Sequence, residues 1–169
     1  MGIKTKHDGG KGIVGHKENP DGSSSKGNLA FTKGDDIYVN TRDGINPELS
    51  DANNLKNTLE HEKSHKEKGH GFKENTPNSL EHADVYLEQI SSTTFAKSTE
   101  KFQYNTLEVM AGMLESASEE STNNGDEVIG GVVNQANSSL QKNNVGFRMN
   151  VPAHYSGPIN VTVTRAKKN

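Results

Sequence analysis

The sequence predicts an α+β fold, a small antiparallel sheet packed on a helical layer, from three observations. Stretches near both ends alternate apolar and polar residues with a period of two. Four longer stretches between them repeat apolar residues at helical spacing, and clusters of Gly, Asn, Asp and Ser separate all of these segments. A length of 169 residues suits one domain. Only 29% of the chain is hydrophobic and mean hydropathy is −0.87, so the core must be thin. Such a fold gains stability from any ligand that binds its native state.

Residues 1–27 are rich in Gly, Lys, Asp and Ser and read as a flexible linker from a longer polypeptide. Their glycines do not meet the Walker phosphate-loop pattern. Residues 28–169 are expected to form a single domain. It opens with a hairpin over 28–40, in which Leu29 and Phe31 alternate, Lys33-Gly34-Asp35 turns, and Ile37 and Val39 alternate. Helical signals begin at Asn46-Pro47-Glu48, and no further proline or glycine occurs before Gly69. Asn46 or Ser50 is the expected cap. Ala52, Leu55 and Leu59 form the predicted core stripe, with Thr58, His61, Glu62 and His65 along its border.

A second helix is expected over 78–91, with Leu80, Ala83, Tyr86, Leu87 and Ile90 inward. A third spans 99–118. There Phe102, Leu107, Met110, Met113, Leu114 and Ala117 face in and Glu108 and Glu115 face out. A fourth covers 126–141, with Val128, Ile129, Val132, Val133, Ala136 and Leu140 on its apolar side. Gly130-Gly131 cost this helix roughly 1 kcal/mol each. The tail returns to strand, Phe147, Met149 and Val151 alternating before a turn at Ser156-Gly157-Pro158, and Ile159, Val161 and Val163 after it.

Several function classes are excluded. No apolar run approaches 18 residues, so membrane insertion is not expected, and the first residues lack the apolar core of a signal peptide. Net charge is −3 with both signs mixed throughout, which gives no basic stripe for nucleic acid. Cysteine is absent, so a metal site here must use histidine and carboxylate.

The chemistry concentrates at His61-Glu62-Lys63-Ser64-His65, an H-E-x-x-H pattern that random order would supply about 0.02 times in a chain of this make-up. Four residues apart on a helix, the two imidazoles stand on one face and can share a Zn²⁺ ion. Glu62 sits beside them as the general base. The rival reading is a solvated helical face rich in Lys, Glu and His.

A catalytic zinc needs a third protein ligand and one open position. His70, Glu81, His82 and Asp84 are the downstream candidates. The metzincin pattern is not met, because Gly69 and His70 are each one residue out of place. On the 78–91 helix Glu81 projects away from the apolar face, whereas His82 and Asp84 flank it. A neutral imidazole leaves the metal more Lewis-acidic, which favours His82 and leaves His70, Asp84 and Glu81 as alternatives.

His61-Glu62-Lys63-Ser64-His65-Lys66, followed by Glu81-His82-Ala83-Asp84-Val85-Tyr86, resembles the metallopeptidase-type toxin domains at the C-terminal ends of Rhs-type polymorphic toxins. The upstream run from Leu29 to Asn40 fits the same likeness, which covers residues 28–96. The resemblance implies a zincin-like domain whose third ligand falls on His82. It also implies delivery into a rival cell as the C-terminal part of a larger, secreted toxin, and a cognate immunity protein as partner.

The expected activity is therefore zinc-dependent hydrolysis of a peptide bond in a protein or peptide substrate. His61, His65 and His82 bind Zn²⁺, and Glu62 draws the proton from the attacking water. Tyr86, Tyr104, His154 and Tyr155 are candidates to steady the oxyanion. Two other functions fit the same residues: a zinc amidase acting on cell-wall peptides, and a non-catalytic binding domain stapled by four-coordinate zinc.

Overall fold

The structure, a computed structural model, describes residues 29–33, 36–39, 45–68, 78–120, 125–151 and 159–166. The expected linker over 1–27, His70, His154, Tyr155 and the turn at Ser156-Gly157-Pro158 lie outside them. Among the described residues helix predominates, with two short antiparallel ladders, consistent with α+β. The chain divides into two compact units, Met1–His70 and Gly71–Asn169, and each holds one ladder.

In the first unit β1 (Ala30–Lys33) pairs with β2 (Asp36–Val39), Ala30 opposite Val39 and Lys33 opposite Asp36. This is the predicted hairpin. Its register puts Ala30 across from Val39, and Ala30 and Ile37 are both buried. A 3-10 turn over Pro47–Ser50 then leads into α1 (Ala52–Lys68), which lies against the hairpin chiefly through β1.

The start of α1 differs from expectation. Asn46 caps only the 3-10 turn, accepting the Glu48 N–H at 2.9 Å. Ser50 is no cap, because its hydroxyl donates back to the Pro47 carbonyl. Asp51 caps α1 instead: its carboxylate accepts the N–H groups of Asn53 and Asn54 at 2.8 and 3.0 Å. A carboxylate serves here better than a hydroxyl, since it also meets the positive end of the helix dipole.

In the second unit α2 (Asn78–Ser91) packs on α4 (Glu100–Glu120) and α5 (Gly125–Lys142). Between α2 and α4 stands α3 (Thr93–Lys97), one turn that the sequence did not announce. Ser92 caps it by accepting the Phe95 N–H, and Gln103 closes its far end by donating to the carbonyls of Phe95, Ala96 and Ser98. The fully buried Phe95 anchors the turn, a burial worth about 1.5–3 kcal/mol.

The long helices carry the core as predicted, with local exceptions. Phe102, Leu107, Met110, Leu114 and Ala117 of α4 are buried, as are Ile129, Val132, Val133, Ala136 and Leu140 of α5. Val128, expected inward, is 47% exposed. Met113 is half-buried. Glu115, expected outward, is half-buried because its carboxylate accepts the Val161 N–H at 3.0 Å.

α5 ends in a Schellman turn. Val145 N–H returns to Leu140 O at 2.9 Å and Asn144 N–H to Gln141 O at 3.1 Å. Asn144 takes the left-handed conformation this requires (φ 54°).

β3 (Phe147–Asn150) pairs with β4 (Thr162–Arg165), Phe147 opposite Arg165. The other flank of β3 meets the Asn137 side chain, whose amide donates to Met149 O at 2.8 Å and accepts Met149 N–H at 2.9 Å. Ile159 and Val161 are buried as their alternation suggested, yet the strand starts only at Thr162. Their N–H groups are taken by Ser118 and Glu115 of α4 rather than by a strand.

Candidate metal centre

α1 buries a face of unusual chemistry. The buried residues of the helix are Asn54, Asn57, Thr58, His61 and Glu62, at three-to-four-residue spacing. The predicted stripe is not the buried one, since Ala52 is exposed and Leu55 and Leu59 are half-buried. Hydropathy misjudged the face because the polar groups are partly satisfied close to home. Asn54 donates to Glu48 O at 2.8 Å, and the Thr58 hydroxyl donates to Asn54 O at 2.9 Å. On an outer face, Lys63 and Glu67 pair at 3.2 Å, both well exposed.

His61 and His65 are one helical turn apart, and their Nε2 atoms meet at 2.8 Å. The rings stand edge-on, with centroids 4.5 Å apart and planes at 76°. Two imidazole nitrogens this close together could share one metal ion. Around a tetrahedral zinc with bonds of about 2.0–2.1 Å, they would be about 3.3 Å apart, a small opening of the pair as found. Glu62 is buried beside them, 8% exposed. The helix thus places two imidazole nitrogens and one carboxylate within about a turn of one another.

On α2, Ala83, Val85, Gln89 and Ile90 are buried. At about 100° per residue they bracket an arc whose middle holds His82 and Tyr86, both half-buried. The arc is wider than the predicted face. Val85, which lay off that face, is fully buried, whereas Leu80 and Leu87 are only half-buried. Asp84 is exposed on the far side of the helix, and Glu81 is half-buried rather than solvated. The His82 and Tyr86 rings stack at 5.7 Å with planes 23° apart. Tyr104, another candidate for the oxyanion, is 40% exposed and tilts against Phe147.

A family model described as metallopeptidase toxin 2 matches residues 1–148. The chain belongs to this family. Membership in the metallopeptidase toxins points to a hydrolase that uses a metal ion and to a protein substrate. His61, His65 and His82 are a group that could bind such an ion, each offering one ring nitrogen. No curated protein and no solved structure matches this metallopeptidase toxin. Among the described residues no helix is long and apolar enough to cross a membrane.

The sequence located both helical histidines and Glu62. It missed the burial of Asn54, Asn57 and Thr58 beside them, and the stacking of Tyr86 on His82. The four-residue step from His82 to Tyr86 was the available signal for the second.

Proposed function

We propose that this metallopeptidase toxin is a zinc-dependent, zincin-like peptidase in which His61, His65 and His82 hold the ion and Glu62 is the general acid–base. The observation that carries the reading is the approach of the two Nε2 atoms to 2.8 Å on one helix, with Glu62 buried next to them. Imidazole suits zinc, and three neutral donors leave a fourth position open. When bound, the ion polarises a scissile carbonyl and makes a water molecule acidic near neutral pH.

The rest of the chemistry belongs to the chain. Glu62 accepts the proton of the attacking water and passes it to the leaving amine, so its carboxylate ends each cycle as it began. Its burial strengthens both transfers by excluding competing solvent. Residues 28–169 act as one catalytic domain and 1–27 as the linker to a larger Rhs-type toxin. The toxin is delivered into a rival cell and is held in check by an immunity protein in the cell that makes it. Membership of a toxin family supports delivery into target cells.

Expression of the wild type and of Glu62→Gln in a bacterial cytoplasm tests the reading. Toxicity and a shortened host protein, found by mass spectrometry, are expected with the wild type alone. Equal toxicity of both forms would remove Glu62 from the mechanism. Lysis with cleaved wall peptides and an intact proteome would move the substrate to the cell wall.

A further inference from the structure

We propose that Tyr86 is the positioning residue for His82, holding the imidazole by its face so that its nitrogen-bearing edge stays available to a divalent metal ion. The inference rests on His82 being a ligand, and it assigns Tyr86 a role different from an oxyanion donor. The two residues are one turn apart on α2, and their rings lie nearly parallel, planes 23° apart with centroids at 5.7 Å.

The contrast with α1 is instructive. There the His61 and His65 rings meet edge to edge at 76°, and the nitrogens themselves are in contact. On α2 it is the Tyr86 ring, one turn further on, that lies against His82. Stacking supplies the constraint from the one side of the ring that carries no lone pair. His82 and Tyr86 are both half-buried and lie on the same side of α2.

The stack also responds to metal. An imidazole that gives its lone pair to a dication becomes electron-poor, and the electron-rich face of a phenol then holds it more strongly. An interaction stronger in the bound state raises the affinity for the ion by linkage. Outer partners of metal-bound histidines are commonly worth 10–100-fold in affinity. Because the ring face and not the hydroxyl does this, phenylalanine serves nearly as well.

The test is a cobalt(II) titration of the full, metal-free chain, followed by the visible absorption of the bound ion, with zinc in competition. Tyr86→Phe is expected within about twofold of the wild type and Tyr86→Leu about tenfold weaker. In a His82→Ala background Tyr86→Leu is expected to change nothing further. An unchanged affinity in Tyr86→Leu, or a tenfold loss that persists without His82, overturns the inference while leaving His82 as ligand. If His82→Ala alone binds cobalt like the wild type, the ligand assignment fails and this role falls with it. Far-UV circular dichroism of the metal-free proteins controls for folding, and Tyr86→Met carries the same comparison if the leucine variant does not fold.

Discussion

α1 and α4 are both long helices with one buried face, and those faces have opposite chemistry. α4 buries Phe102, Leu107, Met110, Leu114 and Ala117, an apolar stripe whose energy comes from leaving water. α1 buries Asn54, Asn57, Thr58, His61 and Glu62, groups that lose hydration when covered and must be repaid by specific partners. The first arrangement stabilises a fold. The second lines the candidate site, and its stability depends on hydrogen bonds such as those of Asn54 and Thr58.

The largest effect expected from breaking this contrast lies on α4. Leu114→Ala should cost about 2–5 kcal/mol in urea denaturation, by lost transfer energy and the cavity left behind. That loss should be the same with and without zinc. Zinc itself should then separate the two helices: at a hundredfold excess over its dissociation constant it should add about 2.7 kcal/mol of apparent stability to the wild type. His61→Ala should abolish that increment, and an increment that survives would place the ion elsewhere.

Smaller changes sharpen the comparison. Asn54→Ala removes the donor to Glu48 O and should cost about 1–3 kcal/mol, against the near-neutral result expected of an exposed helical asparagine. Asp51→Ala should cost about 1 kcal/mol through loss of the cap. On the apolar side, Gly131→Ala in α5 should stabilise by up to about 1 kcal/mol, because a methyl group there meets nothing within 4 Å. Thermal and urea midpoints measure all three.

The same contrast explains what could be read before the fold was known. The cores of α4 and α5 were legible, because apolar periodicity and burial coincide there. The approach of His61 to His65 was legible too, since four residues along a helix are enough to bring the two rings together. The buried face of α1 was not, because hydropathy cannot tell a solvated asparagine from one bonded to Glu48. α3 escaped for the opposite reason: Phe95 alone marks it, and one residue has no period. The strand beginning at Thr162 was placed three residues early, since Ser118 and Glu115 take the N–H groups that a strand partner would have used. The choice among His70, Glu81, His82 and Asp84 depends on tertiary placement, which local pattern does not encode.

The Asn137 carboxamide on β3 has a consequence for how this chain behaves among its own copies. A primary amide offers the same donor and acceptor as a peptide group, so Asn137 acts as a one-residue strand and fills the flank that Met149 would otherwise expose. At Met149 that flank is already bonded, and a neighbouring strand finds both backbone groups of this residue engaged. In the folded state the carboxamide thus does at one position what an added strand would do along a whole edge.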